Sequence, residues 1–211
     1  MANNNSLAVP GWTLLVFLAS AALLAVPAVW LARDFGMLGA LAAFFGAGLA
    51  AIAIAVAPLG MPVVPALGFQ AVGWKPIVLG VVVTTLISVA VSQLGVEPQG
   101  MKQAVEIASR PDEFLISLAI LAGLAPVVEE LTFRGLLYGW LAGRWGPVAA
   151  WIVSSLAFAA AHVELAHAVL VLPLGLWFGW LRWRTGSLWP SLVAHIANNG
   201  LAVSAAALLA D

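Results

Sequence analysis

Apolar stretches of bilayer length recur along the chain, each closed by a short polar or proline- and glycine-bearing interruption. A helix needs about 20 apolar residues to cross a hydrocarbon core of roughly 30 Å, and the pattern predicts seven such spans. The first runs from about Gly11 to Ala32 and stops at Arg33-Asp34; the second, rich in Ala and Gly, runs from Gly36 to Ala57 and stops at Pro58. Leu59 to Lys75 holds Pro62, Pro65, Gly68 and Gly73, too many breaks for a span, and is expected to be a connector. Pro76 to Leu94 is the third span. Gln99 to Glu113 mixes charges with Met101, Val105 and Ala108 at helical spacing, the pattern of an amphipathic helix lying on the membrane surface. The fourth span, Phe114 to Trp140, should bend near Pro126. Spans five to seven follow at about Pro147 to Val163, Ala166 to Trp183 and Leu188 to Leu209. The expected fold is an all-α polytopic membrane protein, with about seven transmembrane helices plus one amphipathic interfacial helix. It forms a single membrane domain over 1–211, with N-terminal spans and the interfacial helix in 1–112 and a chemistry-bearing helical core in 113–211.

Composition agrees with a bilayer as main solvent: 64% of the 211 residues are hydrophobic and 8% charged, against about 25% charged in an average soluble domain. The absence of cysteine excludes disulfides and thiolate chemistry, so any metal would rest on His and carboxylates. A formal net charge of −1 argues against a nucleic-acid partner. Met1 to Pro10 is polar and Asn-rich without a basic segment, so the first apolar stretch is expected to be a retained span. Trp30, Trp74, Trp140, Trp145, Trp183 and Trp189 fall near span ends, where indole rings favour the headgroup region. Lys75, Arg144, Arg182 and Arg184 fall on one side and Arg33, Lys102 and Arg110 on the other, which favours a cytoplasmic N-terminus. Gly175 and Gly179 form a small-residue face suited to close packing within the molecule.

Against this background the ionisable groups inside spans stand out. Glu129, Glu130 and Arg134 lie within the fourth span, where each charge at bilayer depth costs about 2.5–3.5 kcal/mol on insertion scales. Glu130 and Arg134 are four residues apart and can neutralise each other. Glu129 is left unanswered locally, and a spare carboxylate in a low dielectric is a candidate base. His162 in the fifth span shares a helical face with Phe158, and His195 in the seventh has Asn199 one turn further along. One carboxylate and two imidazoles can activate water directly by general-base catalysis, or through a zinc ion held by Glu129, His162 and His195. Asn199 and a histidine N–H could stabilise the oxyanion formed when water attacks a carbonyl.

The segments Glu129-Glu130-Leu-Thr-Phe-Arg134, Phe158-Ala-Ala-Ala-His162 and His195-Ile-Ala-Asn-Asn199 together resemble the three-motif signature of the CAAX protease and bacteriocin-processing family. The resemblance extends to Pro126 and to the Arg184-Thr-Gly-Ser-Leu-Trp run, and covers about Phe114 to Gly200. It implies an intramembrane endopeptidase of the prokaryotic plasma membrane in which Glu129 and His162 activate water, His195 and Asn199 stabilise the oxyanion, and Glu130 and Arg134 shape the site. Implied substrates are peptides or prenylated, membrane-associated proteins, of CAAX or bacteriocin type. No cofactor is favoured, and zinc is the alternative.

Two competing functions are a non-catalytic immunity or scaffold protein and a small proton-coupled transporter. The intact motifs disfavour the first. The short chain, the missing inverted repeat and the clustering of ionisable groups in the C-terminal half disfavour the second. One geometric condition follows from helix rise. At about 1.5 Å per residue His162 lies roughly 22 Å beyond Pro147 and His195 only about 10 Å beyond Leu188, so the histidines meet only if the fifth span starts shallower, tilts or continues past His162. No carboxylate of the sequence stands out as a partner for His195. Glu164 and His167 are expected to be interfacial.

Overall fold

The computed structural model describes residues 9–60 and 63–208. The Asn-rich start of the chain, Pro62 of the connector and the end of the last span beyond Leu208 lie outside the described residues. Within them the chain is helical: α1 Gly11–Ala32, α2 Gly36–Val56, α3 Trp74–Ser92, α4 Gln99–Ala108, α5 Phe114–Trp145, α6 Pro147–Ala160, α7 Leu165–Thr185 and α8 Trp189–Leu208. Among the described residues five helical runs are long and apolar enough to cross a bilayer, and the protein is an integral multi-pass membrane protein. The first run, Gly11–Leu59, contains both α1 and α2, which pack along each other as a hairpin reversed at Arg33–Phe35 and Gly36, whose φ of +70° suits only glycine without strain. The expected fifth span is the element that departs most. α6 has only 14 residues and ends at Ala160, short of the roughly 20 needed for a full crossing.

α5 is the axis of the molecule. Its neighbours include α2, α6, α7 and α8, and 44% of its most apolar stretch is buried, against 6% in the α1–α2 run. The expected bend at Pro126 takes a particular form: an α-helical turn, Ala125–Glu130, sits between two π-helical segments, Leu118–Leu124 and Leu131–Leu137. A proline ring collides with the carbonyl four residues back and offers it no N–H, and the wider π turn preceding Pro126 relieves both demands. Within the second widened segment the Arg134 carbonyl accepts a hydrogen bond from Arg182 Nε at 3.1 Å.

That contact revises the count of charges by loop. Arg182 is buried, packs over the Tyr138 ring at 4.8 Å and donates a second bond to the Gly186 carbonyl, so it is a structural residue and not a flanking charge. The connector docks beside it: Leu188 N donates to Gly68 O and Ser187 Oγ to Gln70 O, while the Arg182 guanidinium fills the space that a Cβ on Gly68 would occupy. One apolar core joins the two halves of the chain, with Phe17, Ile52, Leu67, Val128, Leu136 and Leu188 in contact. The small face of α7 packs within the molecule, as its sequence suggests. Gly175 meets Phe158 and Gly179 meets Ser155 and Trp151, at separations that leave no room for a Cβ. The amphipathic α4 is ten residues long, and its first N–H donates to Glu164 Oε1.

Candidate active site

The short turn Ala125–Glu130 carries two adjacent carboxylates that meet the same imidazole from opposite edges. His195 of α8 has Nδ1 at 3.2 Å from Glu130 Oε1 and Nε2 at 3.6 Å from Glu129 Oε2. Glu130 also accepts from Arg134 Nη1 at 3.0 Å, with both side chains fully buried. Arg134 is held on its other side by the Gly175 carbonyl at 2.9 Å and lies over the Phe158 ring at 4.3 Å. Arg134, Glu130, His195 and Glu129 therefore follow one another in a chain in which each carboxylate meets a nitrogen-bearing side chain. The Arg134–Glu130 pair is what makes these charges tolerable away from water, since a single buried charge would be far costlier than the pair.

Glu130 is thus a carboxylate partner of His195 that no spacing along the chain points to. The two are 65 positions apart and meet only because α8 packs along the π-helical start of α5. Such a partner fixes ring orientation and the position of one ring proton. Phe178 completes the setting, stacked on His195 with centroids 4.9 Å apart and planes at 25°.

His162 approaches from another side. Its Nδ1 bonds the Phe158 carbonyl at 3.0 Å, which leaves Nε2 with a lone pair. Phe158 stands between the histidines, its ring 5.0 Å from His162 and 5.8 Å from His195. α6 ends at Ala160, so His162 lies in the turn beyond the helix end. His167 lies edge-on to His162, with ring centroids 4.5 Å apart. Glu129 and His162 line a common cavity of about 330 Å³ together with Thr132, Phe133 and residues of α1 and α2. Asn199 is placed differently: its Nδ2 donates to the Leu121 carbonyl at 2.9 Å and its Oδ1 accepts from Asn198.

As a zinc site the arrangement does not fit. Among the described residues no three His or carboxylate side chains converge as ligands, and both nitrogens of His195 already face carboxylates.

Residues that sequence reasoning passed over are Phe178, Ser155, which donates to the Gly175 carbonyl beside Arg134, and the hairpin side chains along the cavity. Ser155 lay between recognised motifs, and the hairpin has no ionisable residue within either helix to draw notice.

Residues 111–201 match the family described as type II CAAX prenyl endopeptidase Rce1-like. The matched stretch holds all three of the segments that resemble the CAAX protease and bacteriocin-processing signature. An 80-residue segment is 31% identical to a Bacillus subtilis (strain 168) protein named "Putative membrane peptidase YdiL", covering 38% of this chain and 33% of that protein. The match thus spans about a third of that relative's length. No solved structure matches the chain.

Proposed function

We propose that the protein is an intramembrane endopeptidase that hydrolyses a peptide bond with water activated by Glu129 and His162. The observation that carries this reading is the shared cavity: a carboxylate with 22% of its side chain exposed and an imidazole with a free Nε2 face the same space. In this reading Glu129 takes a proton from water while His162 Nε2 accepts its other hydrogen bond, and the water oxygen bonds to the scissile carbonyl carbon. His195, oriented through Nδ1 by Glu130, turns Nε2 toward Glu129 and is assigned as a donor to the oxyanion. Asn199 keeps one amide proton beyond that given to Leu121 and is assigned as the second donor. The intermediate collapses by breaking the C–N bond, and the proton held by Glu129 passes to the leaving amine.

The family match over residues 111–201 supports a peptide or protein substrate, and the resemblance narrows it to a prenylated CAAX-like or bacteriocin-type chain. The buried charged side chains Glu130, Arg134, His195 and Arg182 all gather around one part of α5, which suits a reaction centre better than a proton path across the membrane. The deciding experiment is digestion of a peptide library by purified protein in lipid, with products read by mass spectrometry. Discrete cleavage that is lost in Glu129→Gln supports the proposal. Cleavage retained by that variant ends it.

A further inference from the structure

The cavity beside Glu129 and His162 is polar only along the edge formed by those two side chains and Thr132, and one of its walls lies outside the family-matched residues 111–201. That wall is the N-terminal hairpin, with Ala21 and Ala25 from α1 and Phe44, Phe45 and Gly48 from α2. Phe17, Ala21 and Ala25 follow at intervals of four along one face of α1. The outward face of the same stretch holds the bulky Leu18, Leu23 and Val26, each at least 60% exposed. This distribution reverses that of a packed interior, where large side chains fill space to crystalline density. An unfilled apolar space lowers stability in proportion to its volume, so small inward residues beside a void of this size are the signature of room kept for an occupant. Its volume lies within the range of small-molecule sites, roughly 300–1,000 Å³. The wall is also registered against the chemistry: a Cβ at Gly48 would stand 2.9 Å from Val128, the residue before Glu129.

We infer that the hairpin is the specificity element of the site. The cavity receives the large apolar side chain, of the Leu or Phe class, next to the scissile bond, and Ala21 and Ala25 set the size accepted. The inference rests on the peptidase reading above. If Glu129 and His162 activate water, the carbonyl must come within hydrogen-bond reach of them, and the side chain attached beside that carbonyl has the hairpin-walled space as its adjoining room.

Two measurements test this and separate its failure from failure of the peptidase reading. The native chain has no cysteine, so Ala25→Cys in a Glu129→Gln background gives one thiol inside the cavity of a protein that holds peptide without turning it over. Maleimide labelling of that thiol in lipid vesicles is followed with peptides differing only in the residue beside the cleaved bond. Leu and Phe peptides should slow labelling about 10-fold, and Ala or Asp peptides little. Equal protection by all peptides, protection by none, or full protection by vesicle lipid alone overturns the inference, the last by showing bilayer hydrocarbon as the occupant. In the otherwise native protein, Ala21→Leu with Ala25→Leu should lower kcat/KM for Leu and Phe peptides roughly 10- to 200-fold while Ala peptides are cleaved nearly as before. A uniform loss, or none, overturns it. A native protein that cleaves no peptide refutes the peptidase reading alone, since the labelling comparison still reports what enters the cavity.

Discussion

The α1–α2 hairpin and α5 are both long apolar helical runs, yet they solve opposite problems. The hairpin has no ionisable residue within either helix and offers most of its surface to lipid. α5 carries two carboxylates and a guanidinium, and answers each with partners on α7 and α8. The hairpin joins the core through Phe17 and Ile52 and leaves a cavity where Ala21, Ala25 and Gly48 face α5. α5 has its backbone widened twice in order to aim its charged side chains. Lipid-facing helices are specified mainly by length and hydropathy, whereas a helix that buries charge is specified by residues far away in sequence.

The contrast predicts a steep gradient of mutational effect. Removing one partner of a buried pair costs about 3–5 kcal/mol, so Arg134→Ala should destabilise the protein by that order in thermal unfolding, leaving Glu130 with only His195. Unchanged stability would mean that α5 is no more demanding than the hairpin. Glu129→Gln is nearly isosteric and should leave unfolding almost untouched while lowering turnover about 10²- to 10⁴-fold. Asn199→Ala sharpens the distinction between aim and packing. As an oxyanion donor its loss should cost roughly 10²–10³ in turnover with little change in substrate binding, whereas a mere tie to Leu121 would cost about 1 kcal/mol of stability and leave turnover intact. At the far end of the gradient, Leu23→Ala on the lipid face of α1 should fall within about 0.5 kcal/mol of the native protein. A larger loss would show that this face packs against another protein.

Much of this was legible in the sequence for the same reason that the gradient exists. Spans α1, α2, α3, α7 and α8 follow from apolar length alone, and the pairing of Glu130 with Arg134 follows from four-residue spacing. The bend at Pro126 was foreseeable, but its π-helical form depends on how α8 and α6 pack around it. The contacts of His195 with both carboxylates, and the burial of Arg182, join residues 48 to 66 positions apart, a distance over which periodicity carries no information. The length of α6 was misjudged because Ala161, His162 and Val163 continue the apolar run, while the chain turns there with Val163 at φ +60°.

The one-turn spacing of Glu130 and Arg134 also bears on how the chain is made. Synthesis runs from N- to C-terminus, so α5 reaches the bilayer before α7 and α8 exist to supply the Gly175 carbonyl and His195. During that interval only a partner on the same helix can answer either charge, and each sits within reach of the other as soon as the turn forms. The ion pair therefore serves first as a passport for α5 during biosynthesis, and only afterwards, once α8 arrives, as the mount that holds His195.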